Sequence, residues 1–268
     1  MKLSTRAPVL LLGAGRMGGA MIAGWRRTGA LTYSDILLVD PNPSPEAKRA
    51  DEGGARLNPP LPALATAKTV VLAVKPQMWR AAAAEYAPHL SPDAAVVSIA
   101  AGVKLADLSE AFTGRTVARV MPTTGVAIAK GVASIYAPSE AGRAAAHALF
   151  DCIAATVDLA EEALIDAATG VSGSAPAYLY ALVETLAAAG EKVGLAPEAA
   201  QILARKTLES AAALMAESEE SPAELRRQVT SPAGTTEAAL KVLLADDGLP
   251  KLMSEAVAAA VARARELG

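Results

Sequence analysis

The stretch PVLLLGAGRMGGAM, residues 8–21, decides the fold. Its apolar run, residues 9–12, is typical of a buried strand, and spaced glycines separate this run from a helical pattern. In the G-x-G-x-x-G arrangement, Gly13 allows a tight turn, Gly15 lets a pyrophosphate approach the backbone, and Gly18 lets helix and strand pack closely. The helix that follows would hold phosphates at its N-terminus. The pattern predicts a dinucleotide site, and a merely structural glycine turn is the alternative.

Short apolar runs alternate with helical patterns along the first 160 residues. The further strand candidates are residues 36–39, 69–74, 95–99, 116–120 and 132–136. The helical patterns between the runs are residues 17–28, 76–87, 105–112 and 140–152. Continuous apolar strands are typical of a parallel sheet that is buried on both faces. The alternation therefore predicts a doubly wound α/β sheet over residues 1–160, with right-handed crossovers.

From residue 161 onward the β-rich runs stop and helical patterns take over. They cover residues 161–168, 176–192, 197–216, 222–227, 232–245 and 249–266, and several open with proline after a small or capping residue. The pattern at 197–216 is apolar around much of its circumference, which a monomeric surface helix does not need. We therefore expect residues 161–268 to form an all-α domain that is buried against a second copy of the chain.

Composition narrows the classes of function. The net charge of −3 leaves no broad basic surface, so we expect no nucleic-acid partner. Hydrophobic residues make up 52% of the chain, but the longest uncharged run, residues 167–183, is broken by Gly170, Gly173 and Pro176. That run falls short of the roughly 20 apolar residues of a spanning helix, so we expect no membrane span.

Cysteine and histidine are scarce. Cys152 is the only cysteine, which excludes an internal disulfide and a thiolate metal cluster and makes the cytoplasm the expected compartment. The N-terminal residues also lack the small-residue cleavage pattern of a secreted precursor. His89 and His147 lie far apart without nearby metal-ligand partners, so we expect structural roles for both and no metal site.

Asp40 ends the second predicted strand, at the position where an acidic residue accepts a hydrogen bond from the adenosine ribose. Such a carboxylate favours NAD because it repels a 2′-phosphate. The residues that follow complicate this preference, since they include neutral donors and positive charges: Asn42, Ser44, Lys48 and Arg49. The alternative is that Asp40 only caps the turn before Pro41 and does not contact a cofactor. The choice between NADPH and NADH stays open.

Two later strands end in residues that suit a flat cofactor ring. In TVVLAVKPQ, residues 69–77, the carboxyl end of the strand places Val74, Lys75 and Pro76 at the nicotinamide half of the cofactor. Lys75 is alternatively a solvated charge at the strand end. The next strand ends in SIAAG, residues 98–102, whose small side chains leave room for a ring.

Two hydroxyl-rich stretches precede predicted helices. In GVSGSAPAYLY, Ser172 and Ser174 are candidate caps, and the glycines allow either ligand contact or close helix packing. In VTSPAGTT, Ser231 is a natural N-cap and Pro232 a natural first helical residue. The N–H groups of residues 233–235 then lie unpaired at the positive end of a helix, which binds a carboxylate without a charged side chain.

Six motifs in this order and at these spacings resemble the pyrroline-5-carboxylate reductase family: GAGRMG, AVKPQ, SIAAG, RVMP, GVSGSAPAY and VTSPAGTT. The resemblance implies a Rossmann-type N-terminal domain, a helical domain that dimerises, and dimers often assembled into a decamer. It implies NADPH or NADH as cofactor and hydride transfer to the C=N carbon of pyrroline-5-carboxylate. Each active site would combine the Rossmann domain of one subunit with helices that include the partner's.

The motifs above and the resemblance together give the expected site residues. Those expected at the cofactor are Gly13, Ala14, Gly15, Arg16, Met17, Gly18, Asp40, Asn58, Ala73, Val74, Lys75, Pro76, Ile99, Ala100 and Ala101. Those expected at the substrate are Met121, Ser174, Ser231, Ala233, Gly234, Thr235 and Thr236. The Ser231 hydroxyl and main-chain amides would hold the carboxylate, and Thr236 would contact the ring nitrogen. The chain departs from the family pattern at Thr123, Gly125, Ala175 and Ala233, and Asn58 is slightly displaced.

Two alternative functions are compatible with the sequence. A related reductase would act on another imine or on a 3-hydroxy acid, but the latter needs a catalytic lysine, and neither Lys192 nor Lys206 adjoins a glycine-rich turn. A nucleotide-binding regulator that lost catalysis is favoured only by the MPTTG departure. A protonated cyclic imine brings its own proton, so a site poor in ionisable groups suits the imine reduction.

Overall fold

The computed structural model describes residues 3–266 and divides into two compact units. The first unit is Met1–Gly173 together with Ala260–Gly268, and the second is Ser174–Ala259. The two units are groups of residues that pack together in space, and they do not define domain limits along the chain. The predicted limits of 1–160 and 161–268 therefore stay a prediction. No helix in the described range is both long and apolar enough to span a membrane.

The first unit contains an eight-stranded sheet within the described residues. Its strands are β1 Val9–Leu12, β2 Ile36–Val39, β3 Arg56–Leu57, β4 Thr69–Leu72, β5 Ala95–Ser98, β6 Val117–Pro122, β7 Gly131–Tyr136 and β8 Ala154–Asp158. They lie in the order β3-β2-β1-β4-β5-β6-β7-β8. All neighbours pair in parallel except β6 and β7, which are antiparallel. The α/β fold class is confirmed, whereas the expectation of parallel pairing was wrong for β6 and β7.

Helices cover both faces of the sheet. They are α1 Arg16–Thr28, α2 Pro45–Glu52, α3 Trp79–Tyr86, α4 Leu105–Ala111, α5 Glu140–Phe150 and α6 Leu164–Ala168. Alternate residues of β1 point to opposite faces, so Val9 and Leu11 pack in a cluster with Trp25 of α1, while Leu10 packs in another with Trp79 of α3. The Trp25 indole Nε1 also donates to the Leu149 carbonyl at 2.8 Å. The carboxyl ends of the central strands are thereby fixed between two packed layers.

The second unit is helical. It contains α7 Ala175–Lys192, α8 Pro197–Glu217, α9 Pro222–Gln228, α10 Thr235–Leu243 and most of α11 Leu249–Glu266. Helices α7 and α8 pack against each other, yet the buried hydrophobic residues described between 174 and 259 are three alanines, Ala187, Ala200 and Ala204. Large side chains remain exposed on the same helices, among them Leu186 and Leu214. A single copy therefore leaves an apolar surface here, as the pattern at 197–216 predicts.

Candidate active site

Two glycines of the first motif are required by the protein's own geometry. Gly13 follows β1 with φ +98°, and a Cβ there would lie 2.7 Å from the Ala73 carbonyl carbon. A Cβ on Gly18 would lie 2.6 Å from the Gly13 carbonyl oxygen. Gly13 thus makes the turn between β1 and α1, and Gly18 lets the helix pack on it, as the pattern predicts.

Gly15 differs from both because no contact among the described residues requires glycine there. Its φ of −72° is ordinary, and a Cβ at this position would meet no heavy atom of residues 3–266 within 4 Å. Gly15 is the N-cap of α1, whose first turn contains no acidic residue, so the positive end of the helix faces open space. The predicted diphosphate would occupy this space, and a side chain at residue 15 would obstruct it. Contact between Gly15 and a cofactor stays a prediction.

A groove of about 460 Å³ runs along the carboxyl ends of β1, β2 and β4. Predicted cofactor residues line it: Gly13, Gly15, Asp40, Ala73, Val74 and Lys75. Met78, at the start of α3, and Ala81 and Ala82 within α3 form an apolar side of the groove. The remaining predicted cofactor residues do not line this groove in the described chain: Ala14, Arg16, Met17, Gly18, Asn58, Pro76, Ile99, Ala100 and Ala101. Their contact with a cofactor stays a prediction.

Asp40 caps a turn on the groove wall. Its Oδ1 accepts the N–H of Asn42 at 2.7 Å, and its Oδ2 accepts the N–H of Ala14 at 2.6 Å. The first contact is the turn-capping arrangement that the sequence left as an alternative. Contact between Asp40 and a ribose stays a prediction.

The ends of β5 and β6 contain further predicted site residues. Ile99 and Ala100 are buried, and Met121 is half-buried, with its Cγ 3.5 Å from where a Cβ on Gly173 would lie. Thr123, one of the departures from the family pattern, is buried and its hydroxyl accepts the N–H of Val132 at 2.9 Å. This threonine therefore stabilises the pairing of β6 with β7.

The SGSAPAY stretch enters α7 through a π-helical turn, Thr169–Gly173. The Ser172 hydroxyl donates to the Ala168 carbonyl at 2.8 Å. Ser174 is the N-cap residue, but its side chain makes no capping hydrogen bond, and its φ of −89° and ψ of −23° are helical. The prediction that either serine caps this helix was wrong, because the preceding π-helical turn continues directly into α7. π-turns of this kind are frequent at functional sites.

The VTSPAGTT stretch forms a turn before α10 and differs from the prediction in detail. The helix begins at Thr235 with Gly234 as N-cap, so the assignment of Ser231 as N-cap and Pro232 as first helical residue was wrong. Ala233 has φ +57°, and this left-handed residue interrupts any helix that starts at Pro232. The Gly234 N–H donates to the Ser231 carbonyl at 3.1 Å and closes the turn, so the prediction that this N–H is unpaired was wrong.

Glu237 is a residue that the sequence interpretation missed. Its Oε2 accepts the Ala233 N–H at 2.6 Å, so this N–H is not unpaired as predicted, and its Oε1 lies 3.3 Å from Lys241 Nζ. An acidic residue three positions after the Gly234 N-cap was the available signal, since such residues often cap a helix start. Glu237 thus stabilises the turn with a carboxylate of its own.

The same turn leaves uncharged polar groups accessible. Ser231, Thr235 and Thr236 are exposed, and residues 231–236 contain no charged side chain. The first N–H groups of α10 have no partner within the helix. Together, hydroxyls and a helix N-terminus can accept a small carboxylate.

Comparison with known proteins identifies the relatives of this chain. Residues 162–267 match the family model described as pyrroline-5-carboxylate reductase dimerisation, and residues 8–102 match NADP oxidoreductase coenzyme F420-dependent. Over 265 residues the chain is 41% identical to pyrroline-5-carboxylate reductase from Pseudomonas aeruginosa, covering 97% of this chain and 96% of that protein. The chain belongs to the pyrroline-5-carboxylate reductase family.

Solved structures carry the same fold. Pyrroline-5-carboxylate reductase from Coxiella burnetii is 28% identical, with a TM-score of 0.88 over 98% of this chain and 99% of that one. The pyrroline carboxylate reductase of Plasmodium falciparum, solved with NADP bound, has a TM-score of 0.83 at 22% identity and covers 98% of each chain. A pyrroline-5-carboxylate reductase dimerisation domain thus follows the dinucleotide-binding unit, and the predicted family is confirmed.

Proposed function

We propose that this protein reduces 1-pyrroline-5-carboxylate to L-proline, the last step of proline biosynthesis, with NADPH or NADH as hydride donor. The observation that carries the proposal is the uncharged turn before α10, with three exposed hydroxyls beside the N-terminus of a helix. Family membership and the groove at Gly15 support a nicotinamide dinucleotide as its partner. The NADP in the Plasmodium falciparum structure supports NADPH first.

The chain's own residues would bind and orient the substrate. The N–H end of α10 and the Ser231 hydroxyl would hold the carboxylate, and the Thr236 hydroxyl would hydrogen-bond the ring nitrogen. When bound, the reduced nicotinamide supplies a hydride to the imine carbon, and the nitrogen keeps its proton and becomes the amine of proline. A fixed cation in this turn would repel the protonated imine, which accounts for the lack of lysine and arginine in residues 231–236.

A lysine-dependent oxidation of a 3-hydroxy acid, with hydride transfer to the oxidised cofactor, receives no support. Lys206 Nζ lies 2.6 Å from Glu209 Oε2 on the exposed surface of α8, so its ammonium is paired there. A general base for an alcohol needs a free position within hydrogen-bond reach of the substrate. We therefore keep the imine as the substrate class.

We further propose a homodimer through the C-terminal helices, with dimers assembled into a decamer and each site completed by the partner's helices. The exposed apolar surface of α7 and α8 supports the dimer, and the groove between these helices has a volume of about 640 Å³. Light scattering on the purified protein gives the subunit number directly. The cytoplasm is the compartment we propose, consistent with a single cysteine.

The test of function is a spectrophotometric assay with purified protein, either nicotinamide cofactor and 1-pyrroline-5-carboxylate. We expect substrate-dependent loss of nicotinamide absorbance. The control substrate is 1-pyrroline, which has the same ring but lacks the carboxylate. Its KM should be higher by about tenfold or more, because the charge-assisted hydrogen bonds to the carboxylate are lost. Equal KM values for the two imines would mean that the turn before α10 does not hold the substrate carboxylate.

A further inference from the structure

Asp40 occupies the position at which Rossmann-type domains select their cofactor, but its carboxylate is already engaged by backbone. Oδ2 accepts the Ala14 N–H at 2.6 Å and Oδ1 accepts the Asn42 N–H at 2.7 Å. Asp40 itself is half-buried, and Ala14 is fully buried. Short bonds from N–H groups to an ionised carboxylate are about twice as strong as neutral ones.

These bonds belong to a set that joins the glycine turn to the segment after β2. The Ala14 carbonyl accepts the Ser44 N–H at 3.0 Å, and the Gly13 N–H donates to the Val39 carbonyl at 2.8 Å. The Ala14 peptide groups are therefore satisfied on both sides, the N–H by Asp40 and the carbonyl by Ser44. Asp40 contributes the only ionised side chain among these four contacts. The position of the turn at Gly13 and Gly15 depends on it.

The Asn58 side chain makes two hydrogen bonds to the backbone of Asp40. Its Oδ1 accepts the Asp40 N–H and its Nδ2 donates to the Asp40 carbonyl, both at 3.0 Å. Asn58 adopts φ +46°, and its own N–H donates to the Leu38 carbonyl at 2.7 Å. The side-chain amide thus extends the pairing of β3 with β2 by one residue and fixes the backbone of Asp40.

We infer that Asp40 is a positioning residue for the diphosphate turn and that it does not select between NADH and NADPH. Each of its two oxygens accepts a peptide N–H, so a ribose diol would have to share both oxygens with Ala14 and Asn42, whose N–H dipoles already offset the charge of the carboxylate. Asn58 supports Asp40 in this role by fixing its backbone. Recognition of the ribose then falls to other side chains of the groove, such as Asn42, whose backbone N–H alone is engaged by Asp40.

The test compares Asp40→Asn with the unaltered protein, and it rests on the proposed function only in assuming that a nicotinamide dinucleotide binds. Dissociation constants for NADPH and NADH are measured by nicotinamide fluorescence, and hydrogen exchange of the Ala14 and Asn42 amides is followed by NMR without nucleotide. Neither readout needs turnover, so inactivity toward pyrroline-5-carboxylate leaves this inference standing.

We expect both dissociation constants to rise together, each by about tenfold, and the Ala14 amide to exchange faster by a similar factor. Asn58→Ala should change both quantities in the same direction by less. Because Asp40→Asn is close in shape, it should fold; if it does not, Asn58→Ala carries the test with the same readouts. Weaker NADH binding with unchanged or tighter NADPH binding would overturn the inference, as would unchanged exchange at Ala14.

Discussion

The Glu162 carboxylate lies 2.6 Å from the Arg119 guanidinium, and the same oxygen, Oε1, accepts the N–H of Leu105, also at 2.6 Å. The Arg119 side chain is only 7% exposed, so the ion pair is largely buried. Arg119 belongs to β6, which continues to Met121, and Leu105 is the first residue of α4. Glu162 therefore links a strand of the predicted substrate site with the helix that follows the SIAAG strand end.

Glu162→Gln should lower the free energy of unfolding by about 2 kcal/mol, because a buried guanidinium loses its ionised partner while some solvent still reaches residue 162. Urea denaturation measures the change. Glu140→Gln is the matched control, since Glu140 pairs with Arg143 at 3.4 Å and its side chain is 85% exposed. That variant should lose less than about 0.5 kcal/mol. Similar losses in both variants would contradict the buried-pair account.

Gly15→Ala should separate ligand binding from stability. The added Cβ has no heavy atom of the described chain within 4 Å, so the free energy of unfolding should change by less than about 1 kcal/mol, mostly through the helix N-cap. Binding of NADPH should weaken by about tenfold or more, because the methyl group occupies the diphosphate space. Calorimetry provides both values.

Gly18→Ala is the control for that variant. Its Cβ would lie 2.6 Å from the Gly13 carbonyl oxygen, so overpacking should lower stability by about 1–3 kcal/mol. If Gly15→Ala bound NADPH as tightly as the unaltered protein, the open space beside Gly15 would not be the diphosphate site.

Ala233→Gly should stabilise the protein. Alanine at φ +57° is strained, and the relief should exceed the entropic cost of glycine by about 0.5–1 kcal/mol. Thermal unfolding provides the measurement. Ala239→Gly, in the exposed interior of α10, should instead lose about 1 kcal/mol. A loss of stability in Ala233→Gly would mean that the left-handed conformation at residue 233 is not strained.

His147 should make stability depend on pH. Burial alone would lower the pKa of His147, but hydrogen bonds and charges from Asp151 and Asp158 outweigh burial and raise its pKa above the usual value. Its ring nitrogens lie 2.8 Å from Asp151 Oδ1 and 3.2 Å from Asp158 Oδ2, and Arg143 Nε lies 4.0 Å from Asp158. A raised pKa in the folded state means that the protonated form stabilises the fold.

This stabilisation is complete below the unfolded pKa of about 6.5 and is lost as the pH rises through the higher folded pKa. Unfolding free energies measured across that range should therefore fall with rising pH. His147→Gln should remove this contribution, whereas His89→Gln should keep it. An unchanged pH dependence in His147→Gln would assign the effect to other groups.

Thr236→Ala should lower kcat for pyrroline-5-carboxylate with little change in the dissociation constant of NADPH, since the hydroxyl is proposed to contact the ring nitrogen only. Loss of one such hydrogen bond lowers the rate by about tenfold. Thr235→Ala, at the neighbouring exposed position, should affect kcat less. Unaltered turnover in Thr236→Ala would take this residue out of the site.

The sequence predicts the central strands well and the sheet edges poorly. The limits of β1 and β2 agree with the apolar runs because both strands are buried on two faces. Strand β8 was missed because Ala154–Asp158 is largely exposed, and two-residue β3 carries no periodic pattern. The antiparallel pair had a usable signal, since eight residues between β6 and β7 are too few for a crossover of about a dozen.

In the candidate site, too, some features could be predicted from the sequence and others could not. The roles of Gly13 and Gly18 follow from local spacing, and the structure agrees with them. The start of α10 was misassigned because Ser231-Pro232 is the stronger local signal, while the left-handed Ala233 depends on its contact with Glu237. The bonds of Asp40 to Ala14 and Asn58 join residues distant in sequence, so no local pattern indicates them.

Product analysis of the purified protein tests the central claim most directly. With NADPH or NADH and 1-pyrroline-5-carboxylate, the account predicts one L-proline formed for each nicotinamide oxidised, with no oxidation when the imine is omitted. Absence of proline with both cofactors at high protein concentration would contradict it.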